Sequence, residues 1–429
     1  MKSEIKQRII QLNNGEVPSG YEKTEFGIFP CNWVKDKTFG DLFDFYGGLG
    51  KSREELGEEG HAYLHYGDLH RGSFNVVSHA QYEHLPKYDV TLKGSEAYLM
   101  EDGDIAFLDA SEDLEGTSRS VLIDNPDNEP FIAGLHVIFG KSKNNSLEKW
   151  YKQYITATDS VRKQFQRLAS GFKVYGVTRK TLPKIQIAYP KSADEQSKIA
   201  EILMKWDEAI ELQEKTIEKL HTKRDAVVQR VIKKKEGWHQ EILSNLLVER
   251  TEFATKEDGY PHASLTMDGV MQKTDRYNRD FLVKSDDKKY KVTHYNDICY
   301  NPANLKFGVI CVNKYENDAI FSPIYITYET KPQYNTDFVG SILCSADFIR
   351  YIRKYEEGTV YERQAVKSSD FLRGVIWVPD TKEEQDQIAL IISEINTYIQ
   401  KQVDYCNSLK QQRKALQQYL LNGIVRVEV

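Results

Sequence analysis

The sequence is written twice, and that repetition limits its possible folds more than any single motif does. Residues 182–232 and 371–421 align without a gap at an offset of 189. LPKIQIAYPKSADEQSKIAEIL lies over FLRGVIWVPDTKEEQDQIALII, so Pro190 matches Pro379, Gln196 matches Gln385, and Ile199-Ala200 matches Ile388-Ala389. Upstream, NWVKDKTFGDLF (32–43) is similar to GWHQEILSNLLV (237–248), with Trp33 over Trp238, and GDIAFLDAS (103–111) to NDICYNPAN (296–304). Two similar halves follow, 18–236 and 237–423.

Each half has one internal plan. Short runs with β patterning come first, among them GDIAFL, FIAGLHVIF and LRGVIWVP. A proline and an acidic cluster then open a long helix, with Ser192 or Thr381 at the N-cap and Glu195 or Glu384 three residues on. Ile199, Leu203, Trp206, Ile210, Gln213, Ile217, Leu220 and Arg224 recur in steps of four and three, continuing to Val227 and Val231. The second helix repeats this as Ile388, Ile392, Ile395, Ile399, Gln402, Cys406, Leu409, Arg413, Leu416 and Leu420. A 3.5-residue period sustained this long is a coiled-coil seam. The expected fold is α+β: two similar globular α/β domains separated by two long helices in an antiparallel coiled coil, as a pseudo-two-fold repeat. The expected segments are a helical tail (1–17), a first globular domain (18–190), a first spacer helix (191–236), a second globular domain (237–379), and a second spacer helix with its tail (380–429). Because KQRIIQLNNG near the N-terminus is similar to LQQYLLNGI at the end of the second helix, the two chain ends are expected to lie close together.

Composition narrows the class. The 429 residues are 40% hydrophobic and 28% charged, an ordinary globular balance with no apolar run fit to cross a membrane. Five cysteines form no CxxC pair, which favours a reducing cytoplasm and argues against structural zinc. Net charge is −6, unevenly distributed: residues 95–130 hold eleven acids and one base, Arg119, whereas 141–191 hold twelve bases and two acids. That reversal suggests one surface built for a polyanion. Tyr151, Tyr154, Phe165, Phe172 and Tyr175 lie among the cations, where aromatics can stack on or hydrogen-bond to a nucleic acid. For any single aromatic the alternative is a place in the core.

With these features in view, the sequence resembles the specificity (S, HsdS) subunit of type I restriction-modification enzymes. The resemblance covers nearly the whole chain and is most specific at the twice-written junction, an apolar strand and a proline followed by xxxEQxxIA and a long helix. KTEFGIFPCNWVKDKTFGDLFDFYGG and YLHYGDLHRG also look like the start of that family's target-recognition domain. The resemblance implies that each globular domain reads one half of a bipartite, asymmetric duplex DNA site. It further implies that the helices set the spacing and dock two modification (methyltransferase) subunits, with restriction (motor-nuclease) subunits completing the complex in a prokaryotic cytoplasm. S-adenosylmethionine would then be bound by the methyltransferase partners, and ATP and Mg by the restriction partner, with no cofactor in this chain.

For DNA contact the expected residues are Arg167, Lys173, Tyr175, Arg179 and Lys180 in the first domain. In the second they are Arg276, Arg279, Arg363 and Lys367, with Lys273, Lys284, Lys288, Lys289 and Lys291 as further phosphate contacts. No catalytic set is expected. GGLGKS (47–52) lacks the first glycine of a phosphate-binding loop and reads as a surface loop. NPAN (301–304) lacks the second proline and the aromatic of an adenine-methyltransferase motif. His61, His65, Asp68 and His70 crowd one segment, but only His262 has a place in the other half, so no metal site is expected. Two other readings are a coiled-coil adaptor that binds proteins and a self-contained DNA methyltransferase; the latter needs a cofactor loop that is not found here.

Overall fold

The computed structural model describes residues 3–71, 75–89, 96–111, 116–169, 175–266, 269–272, 289–357 and 365–427. It divides into two compact units, Met1–Gln213 with Tyr405–Val429, and Glu214–Asp404. The first unit is therefore discontinuous in sequence and takes in the last part of the second long helix.

In the first unit, the strand Trp33–Thr38 pairs antiparallel with Gln186–Pro190, setting Trp33 opposite Pro190. A single helical turn, Phe39–Leu42, leads into a five-stranded sheet of order Phe43–Gly47, Val137–Ser142, Ile105–Leu108, Ser120–Ile123 and Val76–Val77. The central strand Ile105–Leu108 is buried along its whole length, which explains its unbroken apolar run. One face meets a core containing Phe39, Phe107, Tyr151, Tyr154, Phe165, Leu203 and Leu420. A second core, with Leu64, Val121, Phe131 and Phe139, packs the three-stranded sheet of Phe131–Ala133, His61–Leu64 and Lys87–Tyr88.

The second unit repeats the plan. Trp238–Ile242 pairs with Val375–Pro379, again with the tryptophan opposite the proline. Leu243–Leu246 forms the helical turn, and the four-stranded sheet runs Leu247–Glu249, Ile326–Thr330, Ile298–Tyr300 and Ile310–Val312, the order of the first four strands of the other unit.

The two long helices are Ala193–Val231 and Lys382–Leu421. Their openings are capped as the sequence suggests: Ser192 Oγ accepts from Glu195 N, and Thr381 Oγ1 from Glu384 N, both at 3.4 Å. The repeated glutamine is a clamp. Gln196 accepts from Glu148 N and donates to Ser146 O and Pro190 O, while Gln385 accepts from Asn335 N; both are buried.

In the first unit Ile199, Leu203, Cys406 and Leu420 are buried, and Trp206, Ile210, Gln213, Leu409, Arg413 and Leu416 half-buried. Arg413 holds Asp207 through Nε at 2.8 Å and Nη2 at 3.0 Å, and Tyr154 donates to the same carboxylate. In the second unit Ile388, Ile392 and Ile399 are buried, and Ile217, Leu220, Arg224, Ile395 and Gln402 half-buried. Val227 is 37% exposed, whereas Val228 packs on the core, and Val231 packs there as expected, so the stripe departs from the sequence pattern only at Val227.

The N-terminal helix Ser3–Asn13 lies in the first unit, where Arg8 donates to Ile424 O and Tyr21 to Gly423 O. Arg426 closes the unit with two hydrogen bonds to the Glu195 carboxylate at 2.6 and 2.8 Å. The two ends of the described chain thus meet in one unit. No described helix is long and apolar enough to cross a membrane.

Candidate nucleic-acid interface

Charge pairing redraws the basic stretch. Lys141 bonds Glu101 at 2.6 Å, and Lys149 bridges Asp102 and Asp124 at 2.7 and 2.6 Å. Lys152 is buried and donates to Gly103 O and Ser142 Oγ. Part of the sequence-level reversal is therefore internal neutralisation between neighbouring segments. Tyr151, Tyr154 and Phe165 belong to the core, at 2%, 1% and 0% exposure, and cannot stack on a base. Phe172 lies outside the described residues.

Three of the expected contacts gather at one edge of the first unit, where the strands Phe43–Gly47 and Ile105–Leu108 of the five-stranded sheet end. Tyr175 pairs with Ser111, and Val177 N donates to Asp109 O, which ties the segment to the sheet. Thr178 and Thr181 bond each other across the next turn and present Arg179 and Lys180 to solvent. The Arg179 guanidinium runs beside Gly47, where a Cβ would sit 3.5 Å from its Cζ. Arg167 is exposed in the last turn of the helix Asp159–Leu168. Lys173 lies outside the described residues.

Residues that sequence reasoning passed over complete this edge. Tyr46 and Tyr66 are 40% and 36% exposed, with Tyr46 stacked on Phe139. His136 meets Tyr66 edge-on and bonds Asp109 at 2.9 Å. Its φ of 60° is a left-handed conformation that a non-glycine residue adopts at a cost, a feature no sequence pattern announces. Together they form a surface of two cations, an imidazole and three tyrosines, suited to phosphate contact and to stacking or hydrogen bonding with bases.

The histidine-rich segment separates. His65 is buried and accepts from Gly67 N through Nδ1; burial, with Arg53 nearby, holds its pKa below the usual range, so the ring is neutral at pH 7. Asp68 pairs with Arg53 at 2.6 Å. The side chain of His70 lies outside the described residues, and among those described no cluster suits a metal. In GGLGKS, a Cβ on Gly48 would strike Gly134 O at 1.8 Å, and only the short 3-10 turn Arg53–Glu55 follows. The loop is packed against the fold rather than wrapped around a phosphate, although an apolar-faced strand, Phe43–Gly47, does precede it. NPAN ends a strand, with Asn301 accepting from Ala303 N.

In the second unit, Arg276, Arg279, Arg363, Lys273, Lys284 and Lys288 lie outside the described residues. Lys367 is exposed and bonds Glu357 at 2.6 Å, and Lys289 is exposed. Lys291 is a correction: at 3% exposure, beside Glu249 and over the Phe253 ring, it cannot reach a phosphate.

Comparison with known proteins supplies the context for this geometry. Residues 32–222 match the family model of the type I restriction modification DNA specificity domain. A solved chain from work on complex assembly and conformational transition of the type I R-M system aligns over 96% of this chain and 100% of its own, at 12% identity and a TM-score of 0.58. The type I restriction-modification S subunit from M. genitalium aligns over 91% of this chain and 96% of its own, at 15% identity and a TM-score of 0.49. The HsdS subunit from Thermoanaerobacter tengcongensis aligns over 96% and 98%, at 12% identity and a TM-score of 0.42. No curated protein matches the sequence.

Proposed function

We propose, from the match of residues 32–222 to the type I restriction modification DNA specificity domain, that the chain belongs to that family and reads a bipartite DNA site, one half-site per unit. The carrying observation is that the helix junction occurs twice with the same internal chemistry: tryptophan opposite proline, then a buried glutamine clamping a loop to the helix start. A duplicated reader on a duplicated helix favours two half-sites at a set spacing. Because the two units differ in sequence, those half-sites differ.

On this reading the long helices form an antiparallel coiled-coil spacer and dock two methyltransferase subunits, which hold S-adenosylmethionine. A restriction subunit using ATP and Mg joins for cleavage. The chain itself is not catalytic and works in the prokaryotic cytoplasm. In the first unit the reading surface is the edge carrying Tyr46, Tyr66, His136, Tyr175, Arg179 and Lys180.

Single-molecule methylation mapping of host DNA tests this directly. A gapped, asymmetric methyladenine motif should disappear when the gene is deleted. An unchanged map in cells making both this chain and its methyltransferase would overturn the reading and favour a protein-binding adaptor.

A further inference from the structure

Arg119 is the only base in the acid-rich segment 95–130, yet among the described residues no carboxylate answers it. Its Nε is buried without a hydrogen-bond partner, and burial is the sole influence on its charge, lowering its pKa. The side chain lines a recess of about 480 Å³ within the first unit, together with Arg162, Arg413, Ser120, Thr156 and Asn75. Arg162 donates to Ala157 O, a neutral acceptor, and forms no ion pair among the described residues. Arg413 is neutralised by Asp207. Two guanidinium charges therefore face the recess uncompensated, beside the hydroxyls of Ser120 and Thr156, which bond each other at 2.8 Å.

An uncompensated, partly desolvated guanidinium costs free energy unless something else pairs with it. Guanidinium forks with hydroxyls at hand match the oxygens of a phosphate, and the space falls in the range of ligand-binding cavities. The second unit supplies a contrast. Arg224, which occupies Arg413's place in the repeat, also lines a recess, of about 750 Å³, but there it pairs with Asp225 and Lys314 pairs with Asp337. That recess carries no cation left without a carboxylate among these two, so the feature belongs to the first unit.

We propose that the recess bounded by Arg119, Arg162 and Arg413 binds a phosphate group. The occupant is either a free phosphate or a phosphodiester of bound DNA, and the chemistry is the same. Calorimetric titration of the full-length protein with inorganic phosphate at fixed ionic strength tests it, using the wild type, R119Q, R162Q and R224Q. Saturable binding that weakens at least tenfold in R119Q and R162Q but not in R224Q supports the site and a free ligand. If inorganic phosphate fails to bind, the phosphodiester source still requires R119Q to lower the salt dependence of duplex binding, in complex with the methyltransferase, by about one unit of log–log slope. Unchanged phosphate affinity together with an unchanged slope overturns the proposal. Because Arg119 Nε is buried without a partner and its charge is uncompensated, R119Q should unfold at or above the wild-type temperature, so a loss of binding is not a loss of fold. The titration uses no DNA, so its outcome is independent of whether the chain reads DNA.

Discussion

At the scale of single residues, buried polar groups carry the most testable consequences. Gln196 is 1% exposed and answers three backbone groups. Gln196→Leu keeps the volume but strands Glu148 N, Ser146 O and Pro190 O, for an expected loss of ~2–4 kcal/mol in urea unfolding. Asp104 offers a pH signature. It is 4% exposed, and burial pushes its carboxyl up to about 6. Between its unfolded value of ~3.9 and 6 the folded protein holds a proton that the unfolded chain has released, so this contribution to stability is complete below pH ~4 and is lost as pH rises through 6. Asp104→Asn keeps the acceptor that meets Glu101 N and removes the titration. The melting temperature of the variant minus that of the wild type should grow from pH 4 to pH 7, and a constant difference would contradict the assignment. On the proposed DNA surface, Arg179→Glu should weaken duplex binding and flatten its salt dependence, measured by titration at several salt concentrations.

At the scale of elements, the seam is not uniform. Leu203 is fully buried and Ile399 is 5% exposed, whereas Ile210 is only half-buried. Leu203→Ala and Ile399→Ala should each cost ~2–4 kcal/mol, and Ile210→Ala roughly 1 kcal/mol, by equilibrium unfolding. Equal costs would mean that Ile210 is packed as tightly as Leu203 and Ile399. The periodic positions were legible because burial on a long helix is written locally, in steps of three and four. The caps were legible because they are written twice, whereas the tryptophan–proline pairing, which joins strands far apart in the sequence, was not. Charge pairing was not: Lys149 reaches Asp102 and Asp124 only once two strands and a turn have brought them together. Lys152, Lys291 and Tyr154 read as surface residues in a linear count and are buried in fact. Arg119 was passed over because its meaning lies in what fails to stand opposite it.

At the scale of the whole molecule, the proposed spacer has a metric consequence. A heptad inserted at matched points of both helices adds ~10 Å of rise, about 3 base pairs of B-DNA, and methylation mapping should show the gap in the recognised motif longer by that amount. An unchanged gap would remove the helices from the role of ruler. The discontinuity of the first unit has another consequence, for biosynthesis. Leu420 and Leu421 sit in the same core as Phe39 and Tyr154, and Arg426 satisfies the buried Glu195. A ribosome that has made residues 1–213 has not yet made the strand of chain that seals them, whereas 214–404 are contiguous and can fold as they emerge. The nascent first unit waits, part of its apolar floor uncovered, for the whole of the second to be translated, and over that interval chaperones have a surface to hold.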